Sequence, residues 1–499
     1  MNNILTIDIG TTSVKVSVLN DRFQIVAGES MEYLLVTDGN RVELSPGEYI
    51  SAIEQGVSAL SKKTDIQSVT GIAVTTQGET LIPVDTEGKP LYNAVVWLDA
   101  RAEQQAENIR SVVRPEEFYA ATGIPECNGF CPVSKILWFK EELPDIYEKT
   151  KYFLLLEDYI LYYLTGRFVT EKSLMSTTGY FDIRADRLWG SLLHNIGIDT
   201  KKIPEILDCG IVVGNLLPVI TKKLALPDGI RVVTGAMDQV CNAIGAGNTC
   251  EGVITEVTGT ALCIGMTRKT ADIDIRLNVP VYRHFSKELQ LILPVCMTAG
   301  MSLKWFKDVF CESEIDQARE LQQSVYDLLG GLADKSPPLS NGITMLPYFS
   351  GSLQPVNNQD LRASFNGIGL HCTKADFVRS IMEGVGYMLL ENILLLEEIS
   401  GIKAGRIIAM GGGSKSPIWN RIKASITGRS LVAYSEVETA SLGVGILCAA
   451  GLGLYDSVQQ AVAGISREQQ VFPPDQGLIN DYQNGFEKYR KILAANQAW

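Results

Sequence analysis

Ile4-Leu5-Thr6-Ile7-Asp8-Ile9-Gly10-Thr11-Thr12 runs straight into Val14-Lys15-Val16-Ser17-Val18. In the middle of the chain, Val253-Ile254-Thr255-Glu256-Val257-Thr258-Gly259-Thr260 runs into Ala261-Leu262-Cys263-Ile264-Gly265-Met266. Each stretch is a β-branched run, a tight Gly-Thr turn and a second apolar run, which is the pattern of a β-hairpin. The glycine lets the backbone approach a ligand closely, and the N–H groups of the turn form a nest for an anion. Two such tips facing each other would grip a polyphosphate between two halves of the chain. Only the first tip carries an acid, Asp8, where the second has Val257. One carboxylate beside a triphosphate is the environment expected for Mg2+. The repeated device implies an enzyme that uses ATP.

The whole chain is consistent with that reading. At 499 residues the length favours about two to four domains, each with its own core. Apolar residues make up 46% and charged residues 20%, a globular composition. A net charge of −13 with no offsetting basic stripe argues against a nucleic-acid partner. The ten cysteines are scattered, most of them in apolar runs, which suits a reducing cytoplasm. Cys127 and Cys131 form a close pair, but a zinc site would need a second ligand pair. The first apolar run breaks at Asp8 and no basic segment precedes it, so a signal peptide is not expected. Tyr152–Gly166 is cut by Glu157 and Asp158, and Leu442–Leu454 is short and glycine-rich. Neither reaches the roughly 20 residues that span a bilayer, and no membrane partner is expected.

Two strands open the chain, and a third is expected around Ile25–Tyr33. A helix starts at Ser45-Pro46, with Tyr49, Ile53 and Val57 at helical spacing. Val69–Thr76 reads as a buried strand ending in Thr75-Thr76-Gln77-Gly78-Glu79. Strands alternating with helices make an α/β sheet, whose ligands sit beyond the carboxyl ends of its strands. Residues 102–226 read as mostly helical, with breaks at Pro115, Pro125, Pro132 and Pro144. A strand, Arg231–Gly235, then leads through Ala236-Met237-Asp238-Gln239 into a helix. Gly245–Gly252 is the best domain boundary, dividing the chain into 1–245 and 246–499. The second half repeats the plan: a hairpin, a strand at Leu291–Val295 and a helix opening at Ala299-Gly300. Ser336–Ser340 reads as a surface loop. Arg406–Met410 is a strand that ends in Gly411-Gly412-Gly413-Ser414, a turn that could admit a nucleotide or simply lead into a helix.

Several residues carry two readings. Lys15 alternates with Val14 and Val16, so it points away from the core, either to solvent or to a phosphate. Asp238 stands at a strand-to-helix junction, either as a plain N-cap or as a general base for a hydroxyl attacking the γ-phosphate. Gln77 and Glu79, with the run Trp97-Leu98-Asp99-Ala100-Arg101, are either a half-exposed loop or a sugar site. Paired hydrogen-bonding groups beside an apolar wall suit a sugar. His194, His284 and His371 show no metal-ligand spacing.

Longer patterns then add a family. Asp8-x-Gly10-Thr11-Thr12 resembles the first phosphate loop of the FGGY carbohydrate kinases, within the actin-like ATPase fold. Their internal signature resembles Phe130-x-Pro132-x-x-Lys135-Ile136-x-Trp138-Phe139. A second signature resembles Ala363-x-Phe365-x-Gly367-Ile368 followed by Asp376-Phe377-x-x-Ser380-Ile381-Met382-Glu383. The resemblance covers essentially the whole chain. It implies two ribonuclease-H-like (actin-like ATPase) domains of α/β class, with a deep cleft that closes on sugar and ATP. It also implies that Asp238 is the catalytic base and that Asp8 organises Mg2+. Thr11, Thr12, Lys15, Gly259, Thr260, Gly300, Gly412, Gly413 and Ser414 would hold the nucleotide. Gln77, Gly78, Glu79, Trp97, Asp99 and Gln239 would hold the sugar.

The subfamily is mixed. Trp97-x-Asp99-x-Arg101 resembles xylulokinases and ribulokinases, but xylulokinases usually carry Met-His at Thr76-Gln77 and Asp-Asn at Asp238-Gln239. Glycerol kinases share Gln77, Glu79 and Asp238-Gln239 yet place an arginine at Gly78. Loss of that arginine is expected to open space for a substrate larger than glycerol. The expected activity is therefore phosphorylation of a terminal hydroxyl of a ketopentose of the xylulose type. A glycerol or tetritol kinase, and a sugar-sensing regulator without turnover, are the alternatives. A heat-shock-type ATPase shares the fold but not the two signatures. The oligomer is open, a homodimer included.

Overall fold

The computed structural model describes residues 2–354, 357–435 and 438–496. Two large sheets organise it. The first contains β1 (Asn3–Ile9), β2 (Ser13–Leu19), β3 (Ile25–Glu32), β4 (Val69–Thr76), β5 (Val212–Asn215) and β6 (Arg231–Val233), in the order β5-β6-β4-β1-β2-β3. β1 and β2 form the expected hairpin, with Asp8 opposite Lys15, and β1, β4 and β6 run parallel. The helix Pro46–Leu60, α1, buries Tyr49, Ile53 and Val57. Its proline sits in the first turn, where a missing N–H costs nothing.

The second sheet contains β7 (Val253–Thr258), β8 (Leu262–Lys269), β9 (Val281–Arg283), β10 (Leu289–Ile292), β11 (Arg406–Met410), β12 (Ser430–Tyr434) and β13 (Gln469–Phe472), in the order β9-β10-β8-β7-β11-β12-β13. β7 and β8 are again a hairpin, and β7, β11 and β12 are again parallel. The plan is thus used twice. One detail differs: the antiparallel edge strand β5 precedes its neighbour β6 in the chain, whereas β13 follows β12.

Two helices join the halves. α2 (Asp238–Ala246) crosses α6 (Thr439–Gly451), and α6 also packs on β1, β2 and β4 of the first sheet. Between them lie α3 (Gly300–Phe310), α4 (Lys374–Ser400) and α5 (Pro417–Thr427). A Cβ at Gly245 would sit 1.9 Å from the Thr439 carbonyl oxygen, and one at Gly443 would sit 1.9 Å from that of Cys241. Glycine is required at both places by backbone contact. The apolar run Leu442–Leu454 is therefore mostly a buried central helix, as an all-round hydrophobic helix should be. No helix among the described residues is long and apolar enough to cross a membrane.

Three sequence expectations need correction. Residues 102–226 are less helical than read, since Tyr152–Leu155 pairs with Leu81–Val84 and Val212–Asn215 joins the first sheet. Leu291–Val295 is not one strand: the ladder runs over Leu289–Ile292 and resumes at Val295–Cys296, because Pro294 has no N–H to donate. Ser336–Ser340 is no loose surface loop, for the Ser336 hydroxyl bonds Asp376 at 2.6 Å and Ser340 bonds Glu383 at 2.7 Å.

Candidate active site

The carboxyl ends of three neighbouring parallel segments lie side by side. Asp8 pairs with Thr75, and the residue after Thr75, Thr76, bridges to Met237. This register brings together Asp8, the Gln77-Gly78-Glu79 turn and Asp238. Asp8 is 9% exposed and its carboxylate has no hydrogen bond among the described residues. Burial raises its pKa to about 6, against the pull of Lys15. Asp238 is raised to about 7, first by burial and then by the negative charges of Asp8 and Glu79. Burial likewise raises Glu79, while the Lys135 ammonium opposes the shift. Three acids thus share one poorly hydrated space and hold one another's protons more tightly than water would.

Asp238 is not the N-cap. That position belongs to Met237, whose side chain makes no capping bond, and Asp238 opens the helix itself. One Asp238 oxygen accepts the Gln239 N–H at 2.6 Å. The Gln239 side chain also lies against this carboxylate and favours its charged form.

Glu79 adopts a left-handed backbone, φ 60°, which is rare for a residue with a Cβ. Lys135, fully buried, donates to the Glu79 carbonyl at 3.2 Å and to the Val96 carbonyl at 2.9 Å. It therefore ties the Gln77–Glu79 turn to the segment that carries Trp97. Its signature membership was visible in the sequence, but this job was not. Half-buried Trp97 donates from Nε1 to the Thr11 hydroxyl at 3.0 Å, linking that segment to the first hairpin tip. Gln77 donates to Thr80, and its Oε1 is buried without a partner.

The structure moves several expected residues to other roles. Asp99 is fully buried, and its two oxygens accept from Arg101 and the Val42 N–H, so it shapes the segment. A Cβ at Gly78 would lie 3.2 Å from Thr177, so the space expected there is already filled. Lys15 pairs with Glu438 at 2.7 Å at the start of α6. The Ser414 hydroxyl closes its own turn by bonding the Gly411 carbonyl at 2.8 Å.

The second tip faces a cavity of about 650 Å³, lined by Thr258, Gly259, Thr260, Gly300, Gly412 and Gly413 with Tyr326, Met382 and Trp419. Two of its glycines are close-packing glycines. A Cβ at Gly300 would lie 2.4 Å from the Gly259 oxygen, and one at Gly413 would lie 2.6 Å from the Thr258 side chain. Apolar and aromatic walls beside bare backbone suit a purine nucleotide. The first-half candidates do not line this cavity. Of them, Gln239 meets the second sheet across a narrow gap, where it and Asn242 of α2 face Val257 and Cys263.

The sequence reading missed Tyr282 on β9. It pairs with Leu291, which also lines that gap, and its phenol is pushed up by burial and by Glu79 and Asp238. A half-buried phenol from the second half therefore stands near the first-half acids. Only the strand register reveals it.

Comparison with known proteins decides the family. The model for the N-terminal domain of the FGGY family of carbohydrate kinases matches residues 3–245, and the C-terminal model matches 255–452. The chain belongs to the FGGY family of carbohydrate kinases. Such a protein is a phosphotransferase with an alcohol acceptor and ATP as donor, used together with a divalent metal. Among its relatives, the xylulose kinase of Bacillus subtilis (strain 168) is 28% identical over 99% of this chain and 97% of that protein. The gluconokinase of the same organism is 29% identical over 91% and 88%. The crystal structure of ligand-bound xylulose kinase from Lactobacillus acidophilus superposes with a TM-score of 0.90, at 23% identity over 100% and 99%. Plasmodium falciparum glycerol kinase with ADP gives 0.85, at 23% over 98% of each chain. These superpositions establish the actin-like, two-domain FGGY fold.

Proposed function

We propose that this FGGY kinase is cytoplasmic and moves the γ-phosphoryl group of ATP to a terminal hydroxyl of a small neutral sugar, a ketopentose of the xylulose type. The first half, 1–245, would hold the sugar and the second, 246–499, the nucleotide. The observation that carries this reading is Asp238. Its pKa lies near neutrality, and it opens the helix whose Gln239 and Asn242 line the gap to the second sheet. A base is most effective when its pKa lies near the working pH.

In this reading the sugar hydroxyl donates to the Asp238 carboxylate and loses its proton there as it attacks. Glu79 and Gln77 take the neighbouring hydroxyls, and Trp97 forms the apolar wall. The Gly259 and Thr260 backbone, with Thr11 and Thr12 opposite, cradles the phosphates. Gly412 leaves room for the nucleotide, while Gly413 packs against Thr258. Asp8 fits a magnesium site, being buried and without a hydrogen bond among the described residues, since Mg2+ keeps waters and phosphate oxygens and takes only one or two carboxylates. When bound, the metal neutralises charge on the transferring group. Closing the halves excludes water, which would otherwise compete with the sugar hydroxyl.

Relatives named for xylulose and for gluconate are equally close, so chemistry must separate them. Gluconate carries a carboxylate. Asp8, Glu79 and Asp238 would repel it, whereas Lys135 has two of its three donors on carbonyls. A neutral ketose fits better. A coupled ADP-release assay with xylulose, gluconate, glycerol and a tetritol tests this. Xylulose should turn over at least about tenfold faster than the others, a difference of about 1.4 kcal/mol in barrier. Preference for gluconate would overturn the substrate assignment, and no turnover on any of them despite ATP binding would overturn the kinase reading.

A further inference from the structure

After Thr234, which still exchanges backbone bonds with Gly210 and Ile211, the chain up to the start of α2 leaves the ladder, apart from the single bridge between Met237 and Thr76. A strand-end loop without ladder bonds is ordinarily the loosest part of a sheet. Here three consecutive residues before Asp238 are each held by a buried side chain from elsewhere in the first half. The Gly235 N–H donates to Glu157 at 2.8 Å. The Thr75 hydroxyl donates to the Ala236 carbonyl at 2.7 Å. The Met237 N–H donates to the Ser173 hydroxyl at 2.9 Å, and that hydroxyl donates onward to Glu171 at 2.7 Å.

Glu171 is itself fixed, accepting the Ser173 and Leu174 N–H groups, each at 2.6 Å, and the Cys209 thiol at 2.9 Å. Glu157, Glu171, Ser173 and Thr75 are all 0% exposed. Gly235 lets the loop lie against the sheet, for a Cβ there would be 1.8 Å from the Val74 oxygen. Two buried carboxylates close enough to raise each other's proton affinity are a destabilising way to tie down a turn. Stability alone gives no reason for them. Misplacing a reacting group by about 1 Å can cost roughly a hundredfold in rate, which does give one.

We infer that Ser173, oriented by Glu171, and Glu157 are positioning residues that hold the backbone before Asp238 and so set where its carboxylate meets the sugar hydroxyl. The inference rests on the reading of Asp238 as the base. Its signature is an effect on kcat that passes through Asp238, with little change in either KM.

Ser173→Ala removes the acceptor of the Met237 N–H. It should lower kcat at least about tenfold and leave KM for xylulose and for ATP within about twofold. In an Asp238→Asn background the same change should cost nothing more, because residues acting as one unit are not additive. Full turnover in Ser173→Ala, with Asp238→Asn inactive, overturns this inference and leaves the base intact. An equal further loss in the double variant also overturns it, as the serine would then act by some route other than Asp238. Near-normal turnover in Asp238→Asn sinks the base reading and this inference with it. Should Ser173→Ala fail to fold, Ser173→Cys keeps the volume with a poorer acceptor and is judged by the same criteria.

Discussion

The two hairpin tips share a backbone plan and differ in where their acid points. In β1 the acid is Asp8, two residues before the tip glycine and close enough to Asp238 to raise its pKa. In β7 the corresponding residue is Val257, which lines the gap between the halves, and the acid Glu256 stands one residue earlier. Successive strand residues face opposite sides, so that one-residue step sends Glu256 inward. There it forms a fully buried ion pair with Lys423 of α5, and the Thr258 hydroxyl donates to it at 2.6 Å. The Asp8 carboxylate has no hydrogen bond among the described residues, whereas the second tip uses its carboxylate to hold its own shape. On the proposed reading, one plan thus serves a reacting half and a clamping half.

The largest expected effect tests the clamping side. Lys423→Met leaves Glu256 buried and unpaired and should destabilise the protein by roughly 3–5 kcal/mol in urea unfolding. Lys15→Met at the first tip breaks only a half-exposed pair and should cost less than about 1 kcal/mol. Equal losses at both would erase the contrast. Next, Asp238→Asn should lower turnover at least about a hundredfold with no fall in Tm. The sign for stability follows from the raised pKa: a carboxylic acid that holds its proton up to about pH 7 in the folded state contributes stability below its unfolded pKa, lost as pH rises towards 7. The asparagine variant escapes that loss, so its Tm at pH 7.5 should equal or exceed that of the wild type. Smaller still, Gly300→Ala pushes a methyl at the Gly259 carbonyl and should raise KM for ATP about tenfold while sparing KM for the sugar. A change confined to the sugar KM would contradict the division of labour.

What was legible in the sequence was local. Both tips, Asp238, and the Gln77–Glu79 turn follow from runs of a few residues whose alternation and glycine content specify a strand end. The α1 helix was equally plain from its proline start and the spacing of Tyr49, Ile53 and Val57. Contacts that join distant segments were not legible. Nothing near Lys135 announces that its ammonium binds the Glu79 and Val96 carbonyls. Likewise Ser414 and Asp99 have ligand-like chemistry, and only coordinates reveal that their atoms are already bonded to neighbours. Gly245 was read as a linker residue because glycine marks both flexible turns and tight crossings. The sequence pattern cannot separate those two causes, whereas the approach of Thr439 can.

The most direct test of the account is the pH profile of kcat/KM for xylulose in the wild type and in Asp8→Asn. Catalysis needs Asp238 ionised, so kcat/KM should rise with pH through about 7 in the wild type. Removing the Asp8 charge removes one cause of the raised pKa, and the rise should move to lower pH in Asp8→Asn whatever the absolute rate. A rise that stays in place, or one that moves to higher pH, would contradict the claim that these two carboxylates share one site with Asp238 as its base.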